Sequence, residues 1–129
     1  MSKRKPIEFV DFPESLHPGF GPFRAICRHV VDGDTADFVV DVGLNLYPFI
    51  TIRFLGINAP ETNRAESREA GLAAKVRLQE LVPPGTPVML DTKPDPDSFG
   101  RYLAVIHTVD VDDVGAVLMA EGHAVPYER

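Results

Sequence analysis

The apolar positions change period twice along the chain. Phe23 to Val31 is one apolar-rich run, Ala36 to Val42 alternates around Phe38 and Val40, and Pro48 to Leu55 alternates through Phe49, Ile50, Ile52 and Phe54. Period-2 runs of this length predict strands, and Gly33 and Gly43 punctuate them as turns. The short spacing predicts an antiparallel three-stranded meander. From Asn63 to Val82 the period becomes helical, with Ala70, Ala74, Leu78 and Leu81 on one face and Pro83-Pro84-Gly85 as the stop. Two more strands follow, Pro87 to Asp91 and Tyr102 to Val109, separated by a turn-forming stretch with Pro94, Pro96 and Gly100. A short helix from Val114 to Glu121 ends at Gly122, a residue suited to a left-handed C-cap.

Residues 1–22 carry Pro6, Pro13, Pro22, Gly19 and Gly21 among scattered apolar residues and read as an arm, with Phe9, Phe12 and Phe20 placed to dock on a core. Residues 23–129 then form one domain of order β-β-β-α-β-β-α. Five strands with a helix between the third and fourth is the order of the OB-fold, a small Greek-key β-barrel with helices, of the α+β class.

Composition narrows the function classes. The chain has 129 residues, 44% of them hydrophobic and 25% charged, which suits one ordinary globular domain. The lone Cys27 excludes an intramolecular disulfide, and no Cys or His pair stands at zinc spacing. A net charge of −6 provides no global positive field, so any contact with nucleic acid is local. Met1 to Lys5 is basic, but no apolar run follows it. The expectation is a protein with no membrane span, either cytoplasmic or the mature form of an exported protein.

Four pieces put charge where a barrel buries apolar groups: Asp32-Gly33-Asp34-Thr35, Arg53 inside an apolar strand, Asn58-Ala59-Pro60-Glu61-Thr62, and Gly100-Arg101. Their chemistry suits phosphodiester hydrolysis. The substrate is anionic and gains charge on its oxygens in the transition state, so cations must face it and a base must serve the water. Asp34 and Asn58 offer hard oxygens to Ca²⁺, Arg53 and Arg101 fork onto phosphate oxygens, and Glu61 orients or deprotonates water.

Each piece also has a plainer reading. Asp32 to Thr35 is a common β-turn composition, Arg53 suits an outward-facing edge position, Glu61 suits a helix cap, and Arg101 suits a solvated strand start. Asp95, Asp97, Asp110, Asp112 and Asp113 do not fit a calcium-loop spacing and read as turn residues. His17, His29, His107 and His123 form no metal or triad spacing and read as structural, and Cys27 reads as a buried strand residue.

Taken in order, Asp32-Gly33-Asp34-Thr35, the run Ile52 to Thr62, Gly100-Arg101-Tyr102-Leu103-Ala104 and Leu118 to Ala124 resemble the successive motifs of the staphylococcal nuclease-like (thermonuclease) family, from about Ile26 to Tyr127. The resemblance implies an OB barrel with Ca²⁺-dependent cleavage of DNA and RNA. It implies Asp34, Asn58 and the Ala59 carbonyl as metal ligands, Glu61 as the water-orienting residue or base, and Arg53 and Arg101 at the scissile phosphate. Phe99 and Tyr127 stand at substrate-contacting places, Phe99 where the founding nuclease has Tyr.

Asn58 replaces the family's usual Asp, which removes one negative charge from the metal cluster. The chain ends at Arg129, before the family's final helix, so the N-terminal arm, self-association or a protein partner is expected to cover that surface. The rival function is a non-catalytic OB module that binds nucleic acid or protein. Arg53, Glu61 and Arg101 together favour the enzyme, because a binding module has no need of that set.

Overall fold

The computed structural model describes residues 21–98 and 101–128. Most of the predicted arm, with its three phenylalanines, lies outside the described residues, as do Phe99 and Gly100. Among the described residues seven strands and two helices run in the order β1 (Phe23–Asp32), β2 (Thr35–Val40), β3 (Phe49–Phe54), β4 (Ile57–Asn58), α1 (Arg68–Leu81), β5 (Pro87–Pro94), β6 (Tyr102–His107), α2 (Val114–Ala120) and β7 (Val125–Pro126). Strands β1-β2-β3-β6-β5 close into a barrel. This is the predicted five-stranded α+β barrel, and β1, β2 and β3 form the predicted antiparallel meander.

Alternation decides which side chains fill the barrel. Ala36, Phe38 and Val40 of β2, Ile52 and Phe54 of β3, Val88 and Leu90 of β5, and Ala104 and Ile106 of β6 are buried in one cluster. In β1 the buried set shifts phase, from Ala25 and Cys27 to Val30, because the register against β2 slips between Cys27 and His29. A bulge turns the strand's other face inward at that point. Burial pushes the Cys27 thiol up from its ordinary pKa, so it stays protonated and inert. Leu78, Val82, Val114 and Leu118 bring the helices into the same core.

The structure corrects the predicted elements in several places. α1 begins at Arg68 rather than Asn63, since residues 63–67 contribute no buried side chain and nothing holds them in a helix. Its buried stripe is Gly71, Ala74 and Leu78, while Ala70 is exposed. Phe49 is 61% exposed at the start of β3. Strand β5 continues to Pro94, and β6 stops at His107. The two-residue strands β4 and β7 pair antiparallel, Ile57 with Pro126 and Asn58 with Val125. Strands that short carry no alternation for sequence periodicity to detect.

His107 ends β6 as a satisfied structural histidine. Its Nε2 lies 2.7 Å from Asp91 Oδ2 on β5, and its Nδ1 faces the Asp112 carbonyl oxygen. Acceptors at both nitrogens favour the imidazolium, and the Asp91 hydrogen bond, with Asp112 helping against burial, raises the His107 pKa. A raised folded-state pKa gives stability that is fully present below the unfolded value of 6.5 and is lost as pH rises through the folded value. Melting curves of wild type and His107→Gln should therefore differ most at about pH 5.5, below the unfolded value, and draw together as pH rises through the folded value. A difference that does not change with pH would remove the charge from this account.

Candidate active site

The tight turn between β1 and β2 delivers Asp34 to the outside of the barrel wall. The Asp34 carbonyl accepts the Phe54 N–H at 2.8 Å, which locks the turn to the end of β3. Its side chain is only 8% exposed. Oδ1 accepts the Thr35 hydroxyl at 2.9 Å, and Oδ2 accepts the Ala59 N–H at 2.8 Å. Burying a carboxylate is costly unless its oxygens are bonded and its charge is matched. The match comes from Arg53, whose Nη2 lies 3.6 Å from Asp34 Oδ2.

Arg53 is not the edge residue that its sequence context allows, because β3 is hydrogen-bonded on both sides. Ile52 and Phe54 point into the core, so Arg53 takes the opposite face. There its Nη2 donates to Asn58 Oδ1 at 2.7 Å. One guanidinium nitrogen thus gathers the Asp34 and Asn58 oxygens. The side chain is 21% exposed, and its Nε is buried with no hydrogen-bond partner.

Arg101 stands immediately before β6. Strands β3 and β6 pair parallel, with Arg53 opposite Leu103. Two residues back from Leu103, alternation sets Arg101 on the Arg53 side, with the two α-carbons about 8 Å apart from strand spacing and rise. Arg101 Nε donates to Asp95 Oδ2 at 2.7 Å, and Nη2 lies 2.7 Å from the same oxygen. The Asp95 side chain is fully buried. Sequence reading assigned Asp95 to a turn and missed this pairing. The available signal was a carboxylate six residues before an Arg across a strand-turn-strand segment.

The structure therefore brings Asp34, Arg53, Asn58 and Ala59 together and sets Arg101 on the neighbouring strand. Glu61 pairs locally: its carboxylate is 2.9 Å from Arg64 Nε, on side chains more than half exposed. It does not cap α1, which starts seven residues later; its carbonyl accepts the Ser67 hydroxyl at 2.6 Å. Tyr127 follows β7, half-exposed, with its N–H donating to the Gly56 carbonyl at 2.9 Å. Phe99 lies outside the described residues.

A cavity of about 190 Å³ borders the cluster, between Asn58-Ala59-Pro60 and the Gly122 to Val125 segment. A larger concavity of about 530 Å³, floored by Ile26, Val39, Val88 and Met89, includes none of the predicted site residues. Buried charge rather than cavity size marks the candidate site. Among the described residues no three His, Cys, Asp or Glu side chains converge on a metal position. Among the described residues no helix is long and apolar enough to cross a membrane.

No curated protein matches the chain. The family model for staphylococcal nuclease homologues matches residues 51–129, a stretch that carries Arg53, Asn58, Ala59, Glu61, Arg101 and Tyr127. Asp34 precedes that stretch and is joined to it by the Ala59 and Arg53 contacts. With the match covering more than half of its length, and with a closed five-stranded barrel flanked by helices, the chain belongs to the staphylococcal nuclease homologue family.

Proposed function

We propose that the chain is a Ca²⁺-dependent nuclease that hydrolyses phosphodiester bonds in DNA, RNA or both. The observation that carries this reading is the unpartnered, buried Nε of Arg53. A buried donor without an acceptor costs about 1–3 kcal/mol, and a phosphate oxygen beside it recovers that cost. Arg53 then offers Nε to the anion while its Nη2 stays with Asp34 and Asn58. Arg101 adds N–H donors from the adjacent strand. Two guanidinium groups on one face match the charge that builds on the phosphoryl oxygens in the transition state.

Glu61 is the proposed base or water-orienting group. Its exposed pairing with Arg64 is a weak constraint, since such surface pairs contribute at most about 1 kcal/mol. Tyr127 and Phe99 are proposed to stack on bases beside the cleaved bond.

The cation site is tested by its donors. All are hard oxygens, as Ca²⁺ requires, and Asp34 Oδ2 and Asn58 Oδ1 converge closely enough to share one nitrogen. Asp34, Asn58 and the Ala59 carbonyl are the groups that would hold the ion, which when bound supplies charge stabilisation to the phosphoryl oxygens. With one carboxylate among these ligands, affinity belongs at the weak end, roughly 10⁻⁴ to 10⁻³ M. Asn58→Asp should tighten Ca²⁺ binding in calorimetry and raise cleavage at limiting Ca²⁺, with less effect at saturation. Equal affinities would remove Asn58 from the metal site.

The direct test of the function is digestion of single-stranded DNA and of RNA with Ca²⁺ and then with chelator. Cleavage that the chelator abolishes is the expected result. Binding without cleavage under Ca²⁺, Mg²⁺ and Mn²⁺ would identify a binding module instead.

A further inference from the structure

We propose that Asp95 is a positioning residue that sets the guanidinium of Arg101 for phosphate; this rests on the reading of Arg101 as a phosphate-binding group. A carboxylate with no exposed surface is an expensive way to make a turn. Turn-forming aspartates ordinarily stay at the surface, where water meets their second oxygen. Asp95 instead spends its carboxylate on two internal tasks. Oδ1 accepts the Asp97 N–H at 2.9 Å, which shapes the segment after β5. Oδ2 takes both Nε and Nη2 of Arg101 at 2.7 Å. The backbone adds a further tie, with the Asp95 N–H donating to the Arg101 carbonyl at 3.0 Å.

Two donors from one edge onto a single carboxylate oxygen fix where that edge of the guanidinium sits. Of the five N–H bonds of Arg101, two are committed to Asp95, and the remaining three have no partner among the described residues. The side chain is 32% exposed, so the group is anchored from inside the protein and accessible from outside. A long side chain that reaches phosphate from a mobile start loses rotamer freedom on binding. Asp95 has already imposed that order before the substrate arrives. Arg53 is held on the neighbouring strand in a corresponding way, by Asp34 and Asn58. Each arginine thus has a buried acidic partner behind it.

The test uses the full chain and two readouts that a merely structural salt bridge would not move together. In Asp95→Asn the amide keeps the size but loses the charge, and its NH₂ group cannot accept from Arg101. Affinity for inorganic phosphate, followed by NMR titration, and kcat/KM on a single-stranded oligonucleotide should each fall about tenfold, the scale seen when a supporting partner behind a binding group is removed. Asp95→Asn added to Arg101→Lys should cause little further loss, because the two act through one group.

If Arg101→Lys alone changes neither readout, the phosphate-binding reading of Arg101 is wrong whatever Asp95 does. If Arg101→Lys is impaired and Asp95→Asn lowers only the melting temperature, Asp95 is structural and the proposal fails. A measurement on the wild type covers the case in which Asp95→Asn does not fold. The Arg101 Nε–H signal should exchange with water far more slowly than those of the exposed arginines, and rapid exchange would show that no such anchor exists.

Discussion

Replacing Arg53 with lysine should lower phosphodiester cleavage by about two orders of magnitude while the barrel stays folded. The ammonium of lysine preserves the charge that matches Asp34, so the buried carboxylate is not left uncompensated. What disappears is the fork. In the native site Nη2 reaches Asn58 at 2.7 Å and Asp34 at 3.6 Å, while Nε remains for another acceptor on the same rigid plane. A lysine nitrogen that serves Asp34 and Asn58 has no second, fixed donor to offer to phosphate. Steady-state kinetics on a single-stranded oligonucleotide, with a melting curve as the control, makes the measurement. A folded Arg53→Lys protein with near wild-type turnover would disconnect Arg53 from the chemistry.

Gly33→Ala should be among the most damaging single substitutions in the chain, although the added group is one methyl. A Cβ at position 33 would lie 2.6 Å from the Ala74 Cβ of α1 and 3.0 Å from the Ala59 Cβ. Neither neighbour can rotate away, because a Cβ is fixed to its backbone. Either α1 lifts from the barrel or the turn that carries Asp34 shifts. Overpacking of this kind costs about 1–3 kcal/mol, a fall in Tm of roughly 4–12 °C for a domain of this size. Calorimetry of the two proteins tests the stability effect, and the Asp34–Ala59 hydrogen bond next to the clash ties it to the site. An unchanged Tm would mean that the helix does not approach the turn as described.

Gly33 also shows where sequence reading stops. A glycine between two aspartates reads as a residue chosen for turn geometry, yet Gly33 is not among the residues with positive φ. Its small size matters for a neighbour more than forty positions away. The same limit applies to Asp95, whose partner and burial exist only once β5 and β6 are paired. By contrast, β2 and β3 were legible because each alternates over six residues, and Arg53 stood out as a cation inside such a strand. Asp34, Arg53 and Asn58 were found as separate motifs, and the structure adds that a single guanidinium joins them. Glu61 was legible as a motif residue, while its pairing with Arg64 depends on a loop conformation that no periodicity encodes.

The parallel pairing of β3 with β6 gives the site a place in the folding reaction. The hairpins β1-β2 and β2-β3 join segments close in sequence, so Asp34 and Arg53 meet through short, entropically cheap loops. Arg101 joins them only through the pairing of β6 with β3, a long-range contact that spans α1 and β5 in sequence and raises the contact order of the barrel. A chain with the meander alone therefore carries one arginine of the pair and lacks the other. Phosphate that binds both guanidinium groups binds the closed barrel and not its open precursors. By mass action a ligand of that kind would stabilise closure itself and so shift the folding equilibrium toward the closed barrel.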